Sequence, residues 1–254
     1  MPYKAVVLDF GGVLFAWKKQ TKPSGVPGML IKQIMSSPTW SDYECGHISR
    51  ERCYLMLSDK YSIEFEDLDA CFQGSRESLI YDATLLDFAR TISEEQGISI
   101  FAMTNIGHKD FAYIRNNVQG VEWGIFDRVF PSYEASARKP DPNFYKHFLS
   151  QVDIDPAGII YVDDKVDNVI TARSLGMKGI VFTSAQQVMQ AVKNTIYDPV
   201  QRAVDYLVLN AGGHESFTNT GISISENFAQ YLILDITGDK YVILISSMHR
   251  SCTQ

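Results

Sequence analysis

Three apolar runs in this 254-residue chain end in polar groups of the kind that handle charged small molecules. Ala5–Val6–Val7–Leu8 delivers Asp9 into a turn containing Gly11 and Gly12. The run from Ile98 to Met103 ends at Thr104–Asn105, and the run from Gly158 to Val162 ends at Asp163–Asp164. A fourth candidate, Lys139, stands before Pro140 and a stretch of helical period. Each has a plainer reading when taken singly. Asp9 can cap the segment after it, Lys139 can be a solvated surface lysine, and Asp163–Asp164 can be an exposed turn.

These residues need elements to carry them. The three apolar runs read as buried parallel strands, each handing its polar residues to a turn at its carboxyl end. Gly179–Phe182 and Arg128–Phe130 read as two more strands. Helical periodicity marks Asp82–Glu95, Asn143–Val152 and Asp167–Leu175, the last stopped by Gly176. Strands alternating with helices imply an α/β fold around a parallel sheet with right-handed crossovers. Ligands bind such sheets outside the carboxyl ends of the strands, where the polar residues gather here. Residues 16–81 break the alternation, with helix-like pieces at Met29–Ser36, Arg50–Lys60 and Glu66–Ser75 but no convincing central strand. That length is too great for a plain crossover, so the segment reads as an inserted helical cap. The expected organisation is a core over 1–15 and 82–197, a cap over 16–81 and a C-terminal extension over 198–254. Within the extension, 199–210 looks helical, while Tyr231–Ile236 and Lys240–Ile245 look like strands joined by a Thr-Gly-Asp turn.

In order along the chain, VVLDFGGVL, FAMTN, ARKPDPNFY and IIYVDDKVDNVITARSLGM resemble the motifs of the haloacid-dehalogenase (HAD) superfamily. The resemblance covers roughly residues 1–190 and implies a Rossmann-like core with phosphotransferase or hydrolase chemistry. It implies that Asp9 is a nucleophile forming an aspartyl-phosphate. Thr104, with Gly12, Asn105 and nearby backbone N–H groups, would bind the phosphoryl oxygens. Lys139 would neutralise charge between Asp9 and the phosphate. Asp9, the Gly11 carbonyl, Asp163 and Asp164 would hold Mg²⁺ as hard oxygen ligands. Asp167 suits a helix N-terminus, and Asn168 would reach the second shell of the metal.

The chain departs from the family pattern at Gly11, where a second Asp usually protonates the leaving group and then activates water. An alkoxide leaving group would suffer without an acid, whereas a phosphate leaving group would not. Gly11 therefore points to a phosphoanhydride or a readily ionised carbon–oxygen bond, or to a catalytically silent module. His47 and His108 are the candidates by sequence for an alternative proton source. The aromatics Phe15, Trp17, Tyr43, Tyr54 and Phe72, close to the expected site, read either as cap core or as an apolar pocket for a lipid-like substrate. Trp40 and His47 read as structural. The tail resembles the segment that follows the HAD domain in fungal HAD-like terpene cyclases and phosphatases of drimane-type sesquiterpene pathways. No D-x-D-T-T protonation motif is present, so acid-initiated cyclisation is not supported. The expected activity is Mg²⁺-dependent dephosphorylation of a small molecule, with a prenyl or drimane-type diphosphate as the leading substrate. The alternatives are a general phosphatase of sugar or lipid monophosphates, and a catalytically silent HAD module or part of a bifunctional terpene cyclase.

Composition narrows the field further. Hydrophobic residues make up 45% of the chain and charged residues 21%, enough to build a core. A net charge of −7 argues against general nucleic-acid binding. No apolar run is long enough to span a membrane. The opening residues do not read as a signal peptide, which leads us to expect a cytoplasmic monomer or homodimer. Cys45, Cys53, Cys71 and Cys252 share no C-x-x-C spacing and read as free thiols.

Overall fold

The computed structural model describes residues 3–18 and 25–197, and the backbone of three strands between 222 and 244. The chain divides into two compact units, one of them Tyr3–Asn194 and the other carrying those three strands.

The first unit is built on a five-stranded parallel sheet. Its strands are β1 (Ala5–Leu8), β4 (Ser99–Thr104), β5 (Arg128–Pro131), β6 (Ile159–Asp163) and β7 (Lys178–Val181), in the order β5-β4-β1-β6-β7. Every residue of β1 is buried, as expected for a central strand covered on both faces. Helices α5 (Ala83–Gln96), α6 (His108–Asn117), α7 (Ser132–Ala135), α8 (Pro142–Gln151), α9 (Val166–Ser174) and α10 (Ala185–Ile196) occur between and after the strands. Local chemistry sets their ends. The Asp82 side chain accepts from Leu85 N–H at the start of α5, which stops at Gly97 with φ 64°. Asp141 accepts from Asn143 N–H at the start of α8. The α/β parallel-sheet core expected from the sequence is the observed one, with strand boundaries shifted by a residue.

Two three-residue strands, β2 (Phe15–Trp17) and β3 (Leu79–Tyr81), pair antiparallel where the chain leaves and rejoins the core. Between them lie α1 (Gly28–Met35), α2 (Pro38–Glu44), α3 (Arg50–Tyr61) and α4 (Phe65–Glu77). This insert has its own core of Ile34, Trp40, Tyr43, Cys53, Tyr54, Leu57, Leu68 and Phe72. Trp40 stacks on Phe72 with ring centroids 4.5 Å apart. Cys45, Cys53 and Cys71 are free and buried, and Cys252 lies outside the described residues.

In the second unit β8 (Ile222–Asn227), β9 (Tyr231–Ile236) and β10 (Asp239–Leu244) form an antiparallel sheet in sequence order. The helix expected over 199–210 lies outside the described residues.

Candidate active site

The chain passes from β1 to β4 and β5 on one side, and later to β6 and β7 on the other. The strand order thus reverses at β1, which leaves a crevice at its carboxyl end. Leu8 pairs with Val162, and Asp9 N–H donates to Val162 O at 3.0 Å, so Asp9 stands level with Asp163. Lys139 reaches in between them. Its Nζ lies 2.7 Å from Asp9 Oδ1 and 2.8 Å from Asp163 Oδ2, and donates to Met103 O at 2.8 Å. All three side chains are buried.

Other residues hold this trio in place. Asn105 Oδ1 accepts Lys139 N–H at 2.8 Å and its Nδ2 donates to Lys139 O at 2.9 Å. Its amide thus grips the backbone of the lysine. Asp163 accepts from Tyr161 Oη at 2.8 Å, from Asn168 Nδ2 at 2.9 Å on each oxygen, and from Lys165 N–H at 2.9 Å. Phe10 N–H donates to Asp9 Oδ1 at 2.7 Å. No hydrogen bond among the described residues reaches Asp9 Oδ2. Burial pushes the Asp9 carboxyl up to about 7, against the pull of Lys139 and with the repulsion of Asp163. Burial also works against charge on Lys139, but Asp9 and Asp163 outweigh it and hold its pKa above the ordinary lysine value.

Carboxylate oxygens of Asp9, Asp163 and Asp164 lie within 4.8 Å of one another. Asp164 Oδ2 meets the exposed Lys165 Nζ at 2.7 Å, while its Oδ1 is buried without a partner. Two buried carboxylates thus share one buried ammonium with a third carboxylate beside them, and one buried oxygen lacks a donor. A hard divalent cation relieves both deficits, so the residues fit the metal that the sequence implies. Gly12 makes room for this cluster. Its φ is +81°, and a Cβ there would sit 2.8 Å from Asp164 Oδ2.

A cavity of about 500 Å³ opens beside these residues. Gly11, Thr104 and Asn105 form one part of its lining, and Phe15, Trp17, Ile31, Met35, Phe72 and Leu79 form much of the rest. The insert aromatics therefore divide between both roles read from the sequence. Tyr43 and Tyr54 belong to the insert core, Phe15 and Trp17 face the cavity, and Trp40 and Phe72 do both. His47 and His108 do not line it. His47 faces Asp42 at 3.3 Å with half its side chain exposed, and His108 packs edge-on against Tyr133.

Residues 3–176 match the haloacid dehalogenase-like hydrolase family. The chain belongs to that family. Residues 200–253 match the sesquiterpene cyclase astC-like C-terminal domain. Drimenol cyclase drtB of Aspergillus calidoustus is 33% identical over 244 residues, covering 94% of this chain but 45% of the relative. The chain therefore spans less than half the length of that cyclase. Sesquiterpene phosphatase astK of Aspergillus oryzae is 36% identical over 183 residues, 72% of this chain and 91% of the relative. Among solved structures, a predicted HAD-like family hydrolase from Porphyromonas gingivalis superposes with a TM-score of 0.62 at 19% identity. That match covers 78% of this chain and 99% of the other. A magnesium complex of a HAD family enzyme from Bacteroides thetaiotaomicron gives 0.58 at 18%, over 72% and 94%. At these identities the two structures speak for the fold.

This HAD-like hydrolase also carries a polar cluster that its motifs do not announce. Asp110, in the first turn of α6, accepts from Tyr43 Oη at 2.7 Å and from Arg76 Nη1 at 3.1 Å. Arg50 Nη1 lies 3.6 Å from the same carboxylate. Asp110 and Arg76 both line the cavity, and the cluster ties α2, α3 and α4 of the insert to the core. The contacts span 67 and 34 residues of sequence, so no local spacing signals them.

Proposed function

We propose that this chain is a divalent-metal-dependent phosphatase acting on a terpenoid phosphate, with a prenyl or drimane-type diphosphate as the leading substrate. One observation carries the reading: an Asp–Lys–Asp–Asp cluster lies directly behind Gly11, Thr104 and Asn105, which line a largely apolar cavity large enough for a small ligand. The likeness to sesquiterpene phosphatase astK supports the phosphatase chemistry, and the cavity lining supports an isoprenoid skeleton.

Each residue then has a chemical task. Asp9 Oδ1 is engaged by Phe10 N–H and Lys139, which leaves Oδ2 to attack phosphorus. The product is an aspartyl-phosphate and a free leaving group; water then hydrolyses the acyl phosphate and regenerates Asp9. Lys139, pinned by three acceptors, keeps its proton and places a fixed positive charge beside the transferring phosphoryl group. Thr104, buried at the end of β4 and lining the cavity, donates its hydroxyl to a phosphoryl oxygen. Asp9, the Gly11 carbonyl, Asp163 and Asp164 would hold Mg²⁺, which when bound screens the repulsion between carboxylate and phosphate. Asn105 and Asn168 position Lys139 and Asp163.

The test is phosphate release from farnesyl diphosphate, farnesyl monophosphate and a sugar phosphate, with and without Mg²⁺. We expect metal-dependent release from the farnesyl compounds and none from a folded Asp9→Asn variant. Preference for the sugar phosphate would refute the terpenoid assignment, and full activity of Asp9→Asn would refute the covalent route.

A further inference from the structure

Two adjacent glycines follow Asp9, and they are glycines for different reasons. Gly12 needs its left-handed backbone. Gly11 has no such backbone demand, since its φ lies outside the left-handed region. What it faces is Trp17. A Cβ on Gly11 would lie 3.2 Å from Trp17 Cη2, tighter than side chains ordinarily settle, and in ordinary contact with Cζ3 at 4.0 Å. The absent side chain at position 11 is thus the seat of an indole.

Trp17 is placed there by the antiparallel ribbon at the base of the insert, where it pairs with Leu79. Both residues line the cavity, yet Trp17 remains 51% exposed. Met35, from α1, lines the same cavity and is 44% exposed. An aromatic plane left half-bare over Gly11, itself two residues from the nucleophile, is surface waiting for an apolar partner. The same loop offers a hydroxylated substrate no polar side chain, because Gly11 has none and Phe10 is buried.

We propose that Trp17 is the specificity-determining residue of this site. Its indole, seated over Gly11, is the wall against which the first carbons of an isoprenoid phosphate pack. Small or polyhydroxylated phosphates gain nothing from it. The proposal rests on the phosphatase reading above and adds to it the residue that chooses the substrate.

The experiment compares farnesyl monophosphate with acetyl phosphate, a small substrate that needs only the phosphoryl machinery. Trp17→Ala should lower kcat/KM for farnesyl monophosphate at least about tenfold, the order expected for losing apolar pocket contacts. The loss should fall on KM, while acetyl phosphate changes less than about threefold. Trp17→Phe should restore most of the difference. Equal losses on both substrates, or no recovery in Trp17→Phe, would overturn the proposal. If the wild type hydrolyses neither compound, the phosphatase reading fails and the wall is judged by binding. Farnesyl diphosphate should then quench indole fluorescence more strongly in the wild type than in Trp17→Phe, where Trp40 still lines the cavity, and equal quenching in both would overturn it.

Discussion

Replacing Asp9 by Asn should yield a dead enzyme that is more stable than its parent when metal is absent. Burial raises the Asp9 carboxyl from the usual 3.8 to about 7, even with Lys139 2.7 Å away. The folded protein thus holds a proton on Asp9 that the unfolded chain releases, and wild-type stability falls as pH rises from about 4 through about 7. At about 1.4 kcal/mol per pH unit, ionising this group costs the metal-free protein about 4 kcal/mol by pH 8. Asn mimics the protonated carboxyl in shape and charge and has no proton to lose. The two unfolding curves should therefore coincide near pH 4 and separate progressively toward pH 8. For a domain of this size 4 kcal/mol corresponds to roughly 10 °C in Tm. The assay is thermal and urea unfolding in chelator from pH 4 to 8.5, with phosphate release measured on the same samples. Mg²⁺ should narrow the gap, because it stabilises the protein that retains the Asp9 carboxylate more than the variant that lacks it. An Asn variant equal to or less stable than wild type at pH 8 without metal would refute the reasoning.

Asp164→Ala should weaken Mg²⁺ activation at least about tenfold, since even outer partners of metal sites are worth that much; an unchanged Mg²⁺ titration would remove Asp164 from the site. Gly12→Ala should cost about 1–3 kcal/mol through its left-handed backbone and should weaken Mg²⁺ activation as well, because the new methyl meets Asp164 Oδ2 at 2.8 Å. Circular dichroism melts and metal titrations of that variant check both effects. With no acidic side chain at position 11, a matched saturated alkyl diphosphate should be cleaved at least about a hundredfold faster than the monophosphate, the usual worth of a general acid. Equal kcat/KM for the pair would mean that another group supplies the proton.

The parts of this site that the sequence discloses are those set by strand geometry. Asp9 and Asp163 follow uninterrupted apolar runs, and parallel pairing puts such strand ends side by side. Lys139 is visible as a residue, but its three acceptors belong to Asp9, Met103 and Asp163, scattered over 150 residues. Asn105 shows the same limit. Its position marks a strand end, yet only the fold turns its amide onto the backbone of Lys139. The helix Pro38–Glu44 has too few turns for a period, although Ser37–Pro38 is a helix-start signal, and Ser37 does accept from Trp40 N–H. β2 and β3 have three residues each, too few for alternation to register. Ile222–Asn227 is different, since Ile-Ser-Ile-Ser carries a period-two pattern that marks the observed strand.

Arg138 links the geometry of the phosphate chemistry to that of the cavity. Its Nη1 lies 2.9 Å from Glu44 Oε2 and donates to Ser41 Oγ at 2.9 Å, so it grips α2 of the insert. Glu44 O accepts from Ser132 Oγ at 2.6 Å, and Tyr43 donates to Asp110. The insert is therefore fastened through α2 to the residue next to Lys139 and to the helix that follows Thr104. A shift of α2 would be felt at the lysine and at the phosphate loop together. The opposite condition holds at Trp17, Met29 and Met35, which are 51%, 74% and 44% exposed. Met35 is an unbranched side chain that adapts its shape at little cost, whereas the Trp17 indole is seated over Gly11. Charge contacts thus fix α2 against the core, while Trp17 and Met35 leave apolar surface free along the cavity.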